Sequence, residues 1–104
     1  MAKSFAMFGF RPELMQGIHD LFYKEPTPIQ AEAIPLILEG KDVIGQAQTG
    51  TGKTAAFVLP ILERLQPGKR DIQALILTPT RELSIQIAEE VEKLGKYLNV
   101  NVLS

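Results

Sequence analysis

The chain has 104 residues, of which 45% are hydrophobic, with a formal net charge of −1 and no cysteine. That is material for one small domain with a radius of gyration of roughly 13 Å. It excludes a disulfide scaffold and thiolate metal sites, fits a reducing, cytoplasmic setting, and leaves any nucleic acid to be held by local contacts rather than by a bulk cationic field. No stretch approaches the roughly 20 apolar residues of a membrane span, and the N-terminus lacks the features of a signal peptide.

Phe5 to Phe10 is a short aromatic stretch that breaks at Arg11-Pro12. Pro12 suits a first helical position, and Leu14, Met15, Ile18, Leu21 and Phe22 recur at helical spacing. That gives a first helix of about ten residues, and Lys24-Glu25-Pro26 is a break, because the residue before a proline avoids helical dihedrals. Thr27-Pro28-Ile29-Gln30 is a helix start: Thr27 can cap, Pro28 fits the first turn, and Gln30 completes a capping box. The helix runs towards Glu39 and stops at Gly40, a left-handed cap residue, with Pro35 predicting a kink or a restart.

Asp42 to Gln46 reads as a short buried strand. Ala47-Gln48-Thr49-Gly50-Thr51-Gly52-Lys53-Thr54 follows it and leads into a helix from Lys53 to Leu65. Gln66 to Arg70 is a surface turn. Ile72 to Thr78 is a continuously apolar run of the kind that forms strands covered on both faces. Thr80 can cap a helix from Arg81 to about Tyr97, with Leu83, Ile87, Val91 and Leu94 facing inward and Gly95 weakening its last turn. Asn99 to Leu103 alternates and starts a third strand. Strands alternating with helices argue for an α/β fold, a parallel sheet of about three strands with right-handed crossovers. A helical bundle would require both Val43-Ile44 and Ala74 to Leu77 to be helical, and each run is short and bounded by turn residues.

The glycine-rich segment carries the chemistry. A strand-to-helix turn of this composition exposes backbone N–H groups at the positive end of a helix, which attracts phosphate. Lys53 would reach the β- and γ-phosphates, and the Thr54 hydroxyl would take a Mg²⁺ position, while Gln48 and Thr49 shape the loop. Ala47 stands where such loops usually open with glycine, which is tolerable if that position keeps a negative φ. The bland alternative is a chance Gly/Thr turn before a helix.

Three separated segments then form a family resemblance. Glu25 to Gln30, Ala47 to Thr54 and Pro79-Thr80-Arg81-Glu82-Leu83 resemble the Q motif, motif I and motif Ia of the DEAD-box RNA helicases, in order and at family-like spacing. Phe5 resembles that family's isolated upstream aromatic. The resemblance implies a partial RecA-like domain over 1–104, with a helical Q-motif region at 1–40 and a P-loop α/β core at 41–104. It implies ATP and Mg²⁺ as ligands: Tyr23, Thr27, Gln30, Gln48, Thr49, Gly50, Thr51, Gly52, Lys53 and Thr54 form the nucleotide set, with Lys53 and Thr54 catalytic. It implies an RNA backbone along Pro79, Thr80, Arg81 and Glu82. Tyr23, where the family usually has Phe, would stack on the base. Phe22 stands where Gly is commoner, a departure that could alter the approach to the base.

Several residues keep two readings. Gln30 can close the capping box or pair with the adenine edge, as amides do well. Glu82 can simply complement the helix dipole and Arg81 can be an exposed side chain, or the segment can line the RNA backbone, with Thr80 and the N–H groups of the helix start holding a phosphate and Arg81 adding a charged contact. His19 reads as a surface or boundary residue, and Phe8 and Phe10 as packing residues. No Asp-Glu-Ala-Asp run occurs in the 104 residues. The expectation is therefore an N-terminal helicase segment that binds nucleotide with little or no hydrolysis of its own. A binding or assembly module that oligomerises, or pairs with a complementary fragment, through an open sheet edge is the alternative. A small-molecule P-loop kinase would leave the Q-motif-like and Pro-Thr-Arg-Glu segments without a role.

Overall fold

The computed structural model describes residues 4–43, 53–66 and 71–103. After a 3₁₀ turn at Phe5–Phe8 come four helices: α1 Pro12–Asp20, α2 Pro28–Leu38, α3 Lys53–Arg64 and α4 Arg81–Leu94.

Each helix begins and ends where its local chemistry permits. Proline opens α1 and α2, as the sequence predicts. Thr27 and Gln30 form the full capping box at α2: the Thr27 N–H donates to Gln30 Oε1 at 2.9 Å, and the Gln30 N–H donates to Thr27 Oγ1 at 3.4 Å. Thr80 caps α4, accepting the Leu83 N–H at 3.1 Å. Gly40 closes α2 at φ +86°, where the Gly40 N–H donates to the Ile37 carbonyl and the Lys41 N–H to the Leu36 carbonyl. α2 and α3 each continue through an internal proline, Pro35 and Pro60, rather than restarting.

α1 has close to the expected length, whereas α4 stops at Leu94 with its cap at Gly95 rather than running to about Tyr97. α1 stops at Asp20, and the same double hydrogen-bond closure is made from Phe22 to His19 and from Tyr23 to Ile18, with Phe22 at φ 61°. Phe22, which shares the helical spacing of the apolar residues before it, is therefore 83% exposed. The left-handed turn swings its side chain off the apolar face of α1.

α2 packs chiefly on α3, α4 lies against α3 and α1, and α1 also touches α3. The shared core contains Leu14 and Ile18 of α1, Ile34 of α2, Val58, Leu59 and Leu62 of α3, and Ile87 and Leu94 of α4. Phe5 and Phe10 are buried in it, and Phe8 packs against it. Gly17 permits the α1–α4 approach, since a Cβ there would lie 2.2 Å from the Leu94 carbonyl oxygen.

The expected parallel sheet is not formed among the described residues: no strand is present over 72–78 or 99–103, nor at Asp42 and Val43. The remainder of the first predicted strand lies outside the described residues. The physical reason is the lack of a ladder partner, because a strand exists only through hydrogen bonds to a neighbour. Gln73 is tied instead to the end of α3, with its amide accepting from and donating to the Gln66 backbone at 2.7 and 3.0 Å. Ile72, Leu75 and Leu77 are 88%, 79% and 85% exposed, so the run expected to be covered on both faces is largely bare. Beneath it, a cavity of about 720 Å³ lies between α3, α4 and the segments around Ile76 and Val100.

Candidate functional site

Lys53 and Thr54 are the first two residues of α3, Lys53 exposed and Thr54 half-buried. An ammonium and a hydroxyl thus sit at the positive end of a helix that Val58, Leu59 and Leu62 anchor in the core. This donor set suits an anion bearing a divalent cation. Ala47, Gln48, Thr49, Gly50, Thr51 and Gly52 lie outside the described residues. Packing of α2 on α3 joins the helix that carries the capping box to the helix that carries Lys53.

Gln30 is 2% exposed and its carbonyl oxygen serves the capping box. The capping reading of this residue is therefore realised in the fold. Tyr23 is placed by two contacts that sequence reasoning did not foresee. Its ring stacks on Phe5, with centroids 6.0 Å apart and planes inclined by 29°. Its hydroxyl donates to Glu90 Oε1 of α4 at 2.5 Å. Burial, then the hydrogen bond and the negative charge of Glu90, push the phenol well above its ordinary ionisation range. A hollow of about 540 Å³ opens beside this aromatic pair, bounded by Ser4, Met15, Ile18, His19 and Lys24. Thr27, Gln30, Lys53 and Thr54 are not among its walls.

Pro79, Thr80, Arg81 and Glu82 are all exposed at the start of α4. The Thr80 hydroxyl accepts the Leu83 N–H and retains its own proton for donation. Thr78 Oγ1 donates to the Thr80 carbonyl at 2.9 Å, which braces the turn into the helix. Arg81 belongs to neither of the ion pairs among the described residues, which join Arg11 to Glu63 and Lys41 to Glu39. His19 is exposed, as read from the sequence. No group of three or more His, Asp or Glu suited to a metal ion occurs among the described residues, and no described helix is long and apolar enough to cross a membrane.

Two further positioning residues emerge only in three dimensions. Glu90 meets Tyr23 across 67 residues of sequence. Arg11 reaches across 52 to 54 residues: its N–H donates to Glu63 Oε1 and its guanidinium to the Glu63 and Leu65 carbonyls at the end of α3. Neither carries a local sequence signal, since an exposed-looking Arg before a proline and a Glu within a Glu-rich helix are ordinary.

Residues 27–104 match the family model of the DEAD/DEAH box helicases. The chain is 50% identical over 100 residues to the DEAD-box ATP-dependent RNA helicase CshA of Bacillus cereus, covering 96% of this chain and 19% of that protein. It is 55% identical over 98 residues to the ATP-dependent RNA helicase CshA of Limosilactobacillus reuteri, covering 94% and 20%. Among solved structures, S. cerevisiae Dbp5 bound to RNA and ADP BeF3 superposes with a TM-score of 0.90 at 44% identity, covering 95% of this chain and 26% of that one. A DEAD box protein from the hyperthermophile Methanococcus jannaschii gives 0.84 at 39% identity, covering 95% and 27%. The chain thus spans about a fifth of the length of the curated relatives it matches.

Proposed function

The chain belongs to the DEAD/DEAH box helicase family, and on that premise we propose that it is the ATP-binding segment of an enzyme that couples ATP hydrolysis to RNA binding and local duplex opening. One juxtaposition supports this reading above the rest. The Thr27–Gln30 box, Lys53-Thr54 and the exposed Thr80-Arg81-Glu82 turn each stand at the start of a helix, and the three helices belong to one packed body.

In this reading the Ala47–Thr54 segment holds the phosphates, with Lys53 on the β- and γ-oxygens and Thr54 towards the metal. Mg²⁺, when bound with the nucleotide, supplies neutralisation of charge on the β- and γ-phosphates. Gln30 and Tyr23 serve the adenine end. Pro79 to Glu82 face the RNA backbone, a contact that positions RNA without reading its sequence. Residues 1–40 form the Q-motif region and 41–104 the P-loop core, in which 42–46, 72–78 and 99–103 pair as parallel strands once neighbouring strands are in place. A cytoplasmic setting suits a chain without cysteine.

The 104 residues contain no Asp-Glu-Ala-Asp run, so they bind nucleotide weakly and hydrolyse it slowly at most. Titration with a fluorescent ATP analogue should show saturable binding that Lys53→Ala weakens by at least about tenfold, about 1.4 kcal/mol. Robust RNA-stimulated turnover by this chain alone would overturn the division of labour.

The bare Ile72, Leu75 and Leu77 favour a second reading, in which the segment associates with another chain through an open edge. Light scattering across a concentration series distinguishes the two, since a monodisperse monomer removes the second.

A further inference from the structure

The functional reading leaves the Tyr23–Glu90 hydrogen bond unused. Tyr23 lies in the connection between the close of α1 and the Thr27 cap, so its position bears on how the chain enters the capping box. Glu90 lies about two and a half turns along α4 from Arg81. The ring face of Tyr23 rests on Phe5, which is 2% exposed, and its hydroxyl is held at 2.5 Å. The only ion pairs among the described residues are Arg11–Glu63 and Lys41–Glu39, so a phenol rather than a cation faces the Glu90 carboxylate. A bond to a charged acceptor at a half-buried site is strong and is lost at a cost if its partners separate.

α4 is a continuous helix, so its exposed N-terminal turn and its grip on Tyr23 move together. A displacement of α4 by a ligand at Thr80–Glu82 must either carry the 23–27 segment with it or break this bond. We propose that Glu90 is a positioning residue that, through the Tyr23 hydroxyl, couples occupancy of the nucleotide site to RNA affinity at the start of α4. The proposal rests on the reading of the two sites given above. A coupling free energy between sites needs such a shared element with differential contacts in the two states.

The test uses the helicase polypeptide that carries this segment, a fluorescein-labelled polyuridine RNA and a non-hydrolysable ATP analogue. Fluorescence anisotropy gives RNA affinity with and without the analogue, and the ratio is the coupling. Glu90→Ala and Tyr23→Phe should each lower that ratio by at least about threefold, and the double variant should lower it no further than either alone. Glu90→Gln keeps an acceptor for the phenol and should hold the ratio within about twofold of wild type. An unchanged ratio in Glu90→Ala overturns the proposal, as does a fall in melting temperature with the ratio intact, which would mark a purely structural tie. A wild-type protein that binds neither probe overturns the functional reading itself, and the proposal with it.

Discussion

Phe22 and Tyr23 are adjacent, yet opposite forces place them. Phe22 occupies a left-handed turn position that costs a non-glycine residue about 1–2 kcal/mol, and at 83% exposure it recovers little by burial. Glycine there loses about 0.5–1 kcal/mol through the freedom of the unfolded chain. Phe22→Gly should therefore raise stability by about 0.5–1 kcal/mol in urea unfolding, and a loss would show that the side chain has a contact on which the fold depends. Tyr23 is held by burial and by Glu90, and its ionisation is pushed above the ordinary value of 10.0. The neutral phenol is the form the fold prefers. Its stabilisation is complete below the unfolded-state value and is lost as pH rises beyond it, so resistance to urea should fall above pH 10. Tyr97 is shifted in the same direction, first through its hydrogen bond to Asp20. Absorbance at 295 nm should accordingly show neither phenol ionising at its ordinary pH while the helical circular dichroism signal persists. Both ionising near pH 10 in the folded chain would contradict these placements.

At the scale of the element, the helix boundaries follow from local chemistry, whereas the angles and contacts between helices do not. Gly17 shows the difference. In an isolated helix, Gly17→Ala would gain about 0.5–1 kcal/mol. In the folded chain the added methyl meets the Leu94 carbonyl oxygen at 2.2 Å, a backbone atom that cannot rotate away. Overpacking of this kind costs about 1–3 kcal/mol or more. The clash outweighs the propensity, and Gly17→Ala should lower the melting temperature despite its better helix propensity. Arg11 likewise closes α3 from outside, donating to the Glu63 and Leu65 carbonyls that the helix leaves unpaired. Arg11→Lys keeps the charge but loses the planar fork. It should cost about 1–2 kcal/mol in thermal unfolding, and full retention of stability would mean that water satisfies those carbonyls equally well.

For the whole molecule, the radius of gyration of 13.1 Å matches what 104 residues imply, although the described residues form helices without a sheet. Compactness comes from the four helices around Leu14, Ile34, Leu59 and Leu94, each 0% exposed. Leu59→Ala should cost about 2–5 kcal/mol through lost burial and a cavity. Leu75→Lys with Leu77→Lys should change stability by no more than about 0.5 kcal/mol per site in urea unfolding, because both side chains are already in water. A large loss of stability in that pair would show that the 72–78 segment is covered in solution.

The sequence by itself determined what depends on near neighbours: the Thr27–Gln30 box, the Gly40 and Thr80 caps, the inward rows of α1 and α4, and Lys53-Thr54 at the head of α3. The spacing of its three motifs also carried the family. Tertiary structure alone decided that Phe22 turns outward, that Tyr23 is fixed between Phe5 and Glu90, that Gly17 is a helix crossing and that Arg11 closes α3. It also decided that the Ile72–Thr78 run is not a strand in this chain. The division has one physical cause. Caps and helical periodicity are settled within about one turn of chain, whereas a strand, a helix crossing or a hydrogen bond across 67 residues exists only when a distant segment arrives to complete it.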